Sequence, residues 1–335
     1  MERKVIKMGD SSLVISLPKV WIEKAKVTKG NIVEVGELAT GELIVKPKTT
    51  EARKKEVDIT DQRRLDRCII DHYINGADTI RISSEEALNP EDMEVIYDTV
   101  NNLSGLEITE ASGKKVVIEY LGGGIMPFKK LLSRFSLIVT NHLKSLKTAF
   151  EENSAVEIES IRKIQETDKL YYTLLRNLIT ASSDVKASSE MQLKSKDPVY
   201  YTLLVKNLWE MAKLAEKVDF HDTRFNKKIS YFFDKALECH RRSMEAWRKR
   251  DRDMALDTAE AVESLLMELR MARKEVANLE EAPAKEELPQ ARMAKLKEII
   301  VGPEQQTIEN LLNTLGTFFY YINKNLNIAT LSSIE

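Results

Sequence analysis

The hydrophobic rhythm of the chain changes twice. Within residues 1 to 48 the apolar positions come in short strand-like runs: Leu13, Val14, Ile15 and Leu17, then Ile32, Val33 and Val35. They flank a short amphipathic stretch, Lys19 to Ala25, and a third strand is expected at Glu42 to Val45. Gly9-Asp10, Lys29-Gly30-Asn31 and Thr40-Gly41 supply turn signals, the last of them for a hairpin. Three or four strands in so few residues bury little apolar area, so this unit is expected to need a second copy and the protein to be an obligate dimer.

Residues 49 to 56 are polar, charged and without periodicity, and they read as a linker. Strand and helix signals then alternate through residues 57 to 122 as a small α+β domain. The expected order is a strand at Glu56 to Ile59, a helix at Asp61 to Asn75, a strand at Thr79 to Ile82, a helix at Pro90 to Asn102, and a hairpin of Glu107 to Glu110 with Lys115 to Tyr120. Asp61 is positioned to cap the first helix, Asn89-Pro90 starts the second, and the hairpin turns at Ser112-Gly113. Gly122-Gly123-Gly124 lacks the GK[ST] ending of a phosphate loop and reads as a flexible hinge.

From residue 126 to 330 the rhythm becomes helical. Phe128, Leu131, Leu132, Phe135, Ile138, Val139, His142, Leu143 and Leu146 form one buried stripe. Similar stripes occupy Glu157 to Ala181, Pro198 to Val218, Asn226 to Arg250, Arg252 to Ala277 and Pro303 to Ile328. Breakers at Glu152-Asn153-Ser154, Ser182-Ser183-Asp184, His221-Asp222 and Ala282 to Pro289 divide six helices into two sets of three. Asp168, Leu170 and Leu174 superpose on Glu263, Leu265 and Leu269, and Leu208 and Met211 compare with Leu312 and Leu315. The pattern is that of a duplicated three-helix bundle, with repeats at about 126–220 and 226–330. The fold class is therefore multidomain and α-rich: a β unit, a small α+β domain and a six-helix body.

Composition narrows the class further. Of 335 residues 43% are apolar and 31% charged, with only 12 glycines and 8 prolines, as suits long helices. No leader pattern and no membrane-spanning run is present, so a cytoplasmic protein without membrane insertion is expected. Cys68 and Cys239 stand too far apart in sequence to suggest a zinc motif. The formal net charge is -2, but residues 1 to 55 carry 12 Lys and Arg against 7 Asp and Glu, a net +5, leaving -7 for the rest. That asymmetry suits an anion-binding module on an acidic body.

No catalytic constellation emerges, and the chain is not expected to be an enzyme. His72, His142, His221 and His240 lie in different elements, and neither GxSxG nor HExxH occurs. His142 reads as a tolerated residue at the core edge. Glu166 and Asp168 face different ways, whereas Asp257, Glu260 and Glu263 form a solvated stripe, so no metal or cofactor is expected. In the run His240 to Asp253, Arg241, Arg242, Arg248, Lys249, Arg250 and Arg252 cluster near a helix C-terminus, where cations offset the macrodipole. Docking of phosphate, DNA or an acidic partner is the rival reading of that run. At the N-terminus Arg3, Lys4 and Lys7 are expected on the first strand, Ser11 and Ser12 after the turn, and Lys19 at the start of the short helix. Such side chains position a protein on phosphates. The residues alone leave two readings open, a DNA-binding surface and a basic-edged dimerisation hairpin.

Lys7-Met8-Gly9-Asp10-Ser11, followed by Val14-Ile15-Ser16-Leu17-Pro18 and by Val27 to Val35, resembles the SpoVT/AbrB-like (MazE-like) swapped-hairpin DNA-binding domain. The resemblance implies two chains interlacing into one barrel whose basic first strand and following turn face double-stranded DNA, with Arg3, Lys4, Lys7, Ser11, Ser12 and Lys19 as contacts. The helical region, including Asp168-Lys-Leu-Tyr-Tyr-Thr-Leu-Leu-Arg176, is similar to PhoU, the phosphate-uptake regulator. Together the order resembles archaeal PhoU-type phosphate-uptake regulators. That implies transcriptional control of phosphate uptake and homeostasis; an adaptor docking on a phosphate transporter or sensor kinase, its barrel serving only to dimerise, is the alternative. The PhoU family's metal motif, Glu/Asp-x-x-x-Asp, meets Ile164 with Asp168, Trp209 with Lys213, Ala259 with Glu263 and Asn313 with Thr317. None of these pairs is complete, and a PhoU-type metal cluster is not expected.

Overall fold

The computed structural model describes residues 2–9, 12–37, 43–47, 55–60, 63–122, 127–152, 166–218, 227–277 and 305–333. It divides into two units, Met1–Lys54 and Lys55–Glu335.

Among its described residues the first unit holds four strands and one helix. Strand β1 (Ile6–Met8) pairs antiparallel with β2 (Ser12–Val14), helix α1 covers Lys19–Ala25, and β3 (Val33–Glu37) pairs antiparallel with β4 (Leu43–Pro47). These are two separate two-stranded sheets. The strands are displaced slightly from expectation: β4 runs past Val45 to Pro47, and Arg3 and Lys4 precede β1 instead of lying on it. The predicted Thr40-Gly41 turn and Asp10 lie outside the described residues. The Lys29-Gly30-Asn31 turn is closed by the Asn31 side chain, whose Oδ1 accepts from the Thr28 amide at 2.7 Å and from Thr28 Oγ1 at 2.9 Å.

The α+β domain of the second unit begins with β5 (Glu56–Ile59), which runs parallel to β6 (Thr79–Ser83) because α2 (Leu65–Ile74) forms the crossover between them. After α3 (Pro90–Asn101), the hairpin of β7 (Leu106–Ser112) and β8 (Lys115–Tyr120) returns β8 alongside β6, for a sheet order β5-β6-β8-β7. Alternation sends Ile80, Ile82, Val116 and Ile118 to the helix-covered face, all fully buried with Leu65, Ile69, Tyr73 and Ile96. Asn89 caps α3 as expected, its side chain accepting the Asp92 amide at 2.7 Å. Helix α2 starts later than expected: Asp61 lies outside the described residues, and the N-cap position is Arg64, left-handed at φ 58° with no side-chain cap.

The helical body comprises α4 (Phe128–Glu152), α5 (Glu166–Ser183), the short α6 (Val185–Glu190), α7 (Asp197–Lys217), α8 (Lys227–Lys249), α9 (Arg252–Ala277) and α10 (Gln305–Ser332). Asp184, expected only to break the chain, also caps α6 by accepting the Lys186 and Ala187 amides at 2.8 and 3.1 Å. Helices α4, α5 and α7 pack on one another, as do α8, α9 and α10, and α4–α8 and α7–α10 contacts join the two sets. One continuous apolar core runs through both. Within it Asn325 accepts from Asn207 Nδ2 at 2.8 Å through its side chain and from Trp247 Nε1 at 3.0 Å through its carbonyl, so three helices are registered by two polar contacts.

The α+β domain is held to this body by the packing of α2 on α5, by Tyr172 against the domain's core, by the Tyr73 hydroxyl 3.4 Å from Thr173 Oγ1, and by one buried arginine. Arg176, on the buried side of α5 with Thr173, is 7% exposed. Its Nη1 donates to the Tyr73 and Ala77 carbonyls at 2.6 and 3.0 Å, in and just beyond the last turn of α2, where the Tyr73 carbonyl also accepts the Gly76 amide at 3.0 Å. The guanidinium also lies 4.0 Å from the Tyr120 ring centroid and 5.1 Å from that of Tyr73. Gly122 belongs to this packing: a Cβ there would sit 2.5 Å from Tyr120 Cζ. Close approach therefore accounts for Gly122, while Gly123 and Gly124 of the expected hinge lie outside the described residues.

Among the described residues no helix is long and apolar enough to cross a membrane.

Candidate nucleic-acid interface

The first unit has no buried side chain among its described residues. Many of its apolar positions face outward: Ile6 is 59% exposed, Met8 67%, Leu13 72%, Val35 59% and Leu43 63%, while Trp21, Ile22, Val33, Ile44 and Val45 are half-buried. Burying a large aliphatic side chain stabilises a fold by about 1.5–3 kcal/mol. The isolated unit forgoes much of that, most of all on β1 and β2. Among the described residues its sheets also leave strand edges unpaired, each an invitation to another strand.

Five of the six sequence-predicted contact residues can be placed. Arg3 and Lys4 are exposed in the lead-in to β1, Lys7 is the centre of β1, Ser12 opens β2, and Lys19 is the first residue of α1. Ser11 lies outside the described residues. The register pairs Ile6 with Val14, Lys7 with Leu13 and Met8 with Ser12. Because directly opposed residues share a face and neighbours alternate, Ser12 lies with Ile6, Met8 and Val14, whereas Lys7 lies with Leu13 on the reverse face. The ribbon therefore separates Lys7 from Ser12, which linear proximity groups together. Lys19 opens a helix whose first turn has no acidic residue, and its ammonium stands 3.8 Å from Glu23 at 89% side-chain exposure. Such a pair contributes little to stability, so Lys19 remains available to an anion.

A second polar centre, without a signal in the sequence pattern, lies between α5 and α7. Asp168 Oδ1 accepts from Trp209 Nε1 at 2.7 Å, and its Oδ2 accepts from Lys213 Nζ at 2.9 Å. Lys213 also donates to Glu216 Oε2 at 2.8 Å. Burial lowers the Lys213 pKa, but the bonds to Glu216 and Asp168 outweigh it, and the net shift is upward. Two of the residues read against the metal motif thus form an internal ion pair: the ammonium occupies the space between carboxylates where a metal would have to bind. Among the described residues no three His, Cys, Asp or Glu side chains converge as a metal site, and this donor set does not fit a multinuclear cluster. The Trp209 ring stacks on Tyr171, with centroids 5.0 Å apart, and burial raises the Tyr171 pKa to about 12.

The two described body histidines are neutral core groups. His142 is 1% exposed, deep in the core instead of at its edge. Burial, with a smaller contribution from the Lys213 charge, lowers its pKa to about 4. The Ala212 backbone partly opposes the shift, although neither ring nitrogen makes a hydrogen bond of good geometry. Burial likewise lowers His240 to about 4, with Nε2 3.3 Å from Ser136 Oγ. Asp257, Glu260 and Glu263 are exposed, as their spacing predicts.

Comparison of the chain with protein-family models, curated proteins and solved structures finds no match in any of the three.

Proposed function

We propose that this chain is a homodimeric regulator that binds double-stranded DNA through residues 1 to 48 and controls phosphate uptake and homeostasis, with the PhoU-like body relaying phosphate status. The observation that carries the reading is the combination, in one unit, of strands without a buried side chain and exposed cations on and beside them. A second copy accounts for the first property: interlaced hairpins of a swapped barrel would cover the apolar faces and pair the open edges. A polyanion accounts for the second. Arg3, Lys4, Lys7 and Lys19 would supply phosphate contacts, and hydroxyls such as Ser11 and Ser12 would bond at short range.

The division of Lys7 from Ser12 refines this assignment. With β1–β2 presented as a ribbon, only one of its faces can meet DNA while the other packs in the barrel. Lys7 would therefore reach a phosphate past the ribbon edge, along with Lys4 on the lead-in, as long basic side chains do.

Sedimentation velocity and gel shift test the reading together. The full chain is expected to sediment as a dimer and to retard duplex DNA, and Lys4→Ala with Lys7→Ala is expected to weaken retardation and flatten its salt dependence while leaving the dimer intact. A dimer whose DNA retardation is unchanged by those substitutions, or a monomer, sinks the proposal. A dimer that never retards DNA favours the adaptor reading, in which the barrel only joins two bodies.

A further inference from the structure

Three stretches far apart in sequence meet at one end of the helical body. Helix α4 starts there with Lys129 and Lys130, the turn before α7 brings Lys196, and the α8–α9 connection brings Arg250 and Arg252. Direct contacts fix the convergence. Lys129 Nζ donates to Gln192 Oε1 at 3.1 Å, and the Lys194 amide and Arg250 Nη2 both donate to Asp197 Oδ2, at 2.8 and 2.7 Å. The rings of Phe128, Tyr201 and Trp247 follow one another at 5.0 and 5.2 Å.

Apart from Asp253, exposed in the first turn of α9, the acids nearby are engaged. Asp197 is 4% exposed under Arg250, Asp251 caps α9 by accepting the Met254 amide at 2.9 Å, and Glu245 pairs with Lys249 at 2.7 Å. Lys130, Lys196 and Arg252, by contrast, are exposed and make no ion pair with any described residue. Offsetting a helix C-terminus explains Arg248 to Arg250 at the end of α8. It does not explain these three. Lys130 is in the first turn of α4, Lys196 is the N-cap of α7, and Arg252 is the first residue of α9. All three add positive charge where the helix dipole is already positive, an arrangement that disfavours the free fold.

We propose that this end of the helical body is a second docking surface for the phosphate backbone of double-stranded DNA. The inference rests on the reading of the chain as a DNA-binding protein. Exposed cations, with only scattered apolar side chains such as Val199 between them, suit the polar, positive character of a DNA interface, whereas a protein partner needs a contiguous apolar centre. A bound phosphate backbone would offset the repulsion that the fold otherwise carries.

The test uses the full chain bearing Lys130→Gln, Lys196→Gln and Arg252→Gln together, with fluorescence anisotropy on a mixed-sequence duplex across a salt series. The expected result is a salt slope shallower by about 0.9 for each phosphate no longer neutralised, roughly 3 per chain, with a melting temperature unchanged or higher. A merely structural role for these cations predicts a lower melting temperature and the native slope. If the slope and affinity are unchanged while Lys4→Ala with Lys7→Ala weakens binding and flattens the slope, this surface is overturned and the N-terminal reading stands. If the native chain binds no duplex, both fail. An unchanged DNA slope with weakened binding to poly-glutamate would replace DNA by an acidic protein and overturn the proposal.

Discussion

Replacing Arg176 with alanine is expected to uncouple the α+β domain from the helical body. The guanidinium makes two charge-assisted hydrogen bonds to buried carbonyls, of Tyr73 and Ala77, each worth about 1.5–3 kcal/mol. Its approach to the Tyr120 ring, 4.0 Å from the centroid, contributes roughly 1 kcal/mol more. Release of the cation's desolvation cost offsets part of this, which brings the net loss to about 3–5 kcal/mol. At about 4 kcal/mol the opening equilibrium between domain and body shifts roughly a thousandfold. Hydrogen exchange reads this directly: amides of α2, β6 and β8 are expected to lose protection while those of α7 and α10 keep theirs. Arg176→Lys should fall between the two, since an ammonium lacks the planar fork that serves both carbonyls. Native protection in α2 after Arg176→Ala would refute a dominant role for this arginine and assign the docking to the remaining α2–α5 contacts.

Three further outcomes follow from the same contacts. His142 and His240 are held neutral, with pKa values lowered from 6.5 to about 4, so the unfolded chain takes up protons that the native one refuses. Stability is expected to be intact above pH 6.5 and to fall toward pH 4 by about 3 kcal/mol per histidine; urea melts of His240→Leu should show a flatter acid limb, and an unchanged limb would contradict it. Lys213→Met leaves Asp168 and Glu216 facing each other without their cation, at a cost of about 1–2 kcal/mol given the partial exposure of the site, read as a lower urea midpoint. Gly105→Ala places a Cβ 2.7 Å from Tyr120 Cε2 and 3.0 Å from the Gly122 backbone at φ 80°, and calorimetry should show a loss of about 2–4 kcal/mol.

What can be read from the residues is what local chemistry decides. Asn89-Pro90 announces α3 because cap and first turn are adjacent, and the α4 stripe marks its buried face because periodicity is a property of one helix. Arg176 and Lys213 carry no such signal because an isolated cation on an amphipathic helix looks solvated; what recruits Arg176 is the end of α2, a backbone feature about a hundred positions away. Periodicity puts His142 on the correct stripe but not at its depth, which depends on how α7 packs across it. The separation of Lys7 from Ser12 hangs on a register of three residue pairs, and a shift of one would reverse it. Likewise the convergence of the three stretches that carry Lys130, Lys196 and Arg252 is set by helix packing and has no trace in any one segment.

The central claim, that residues 1 to 48 join two chains and hold a DNA backbone, is tested most directly by the salt dependence of duplex binding for Lys4→Ala, Lys7→Ala and Lys19→Ala together against the native chain. Three phosphate contacts per chain, doubled by the dimer, predict that the substitutions reduce the slope of log K against log salt by about 5. Equal slopes for the two proteins, or no duplex binding by the native chain at low salt, would contradict it.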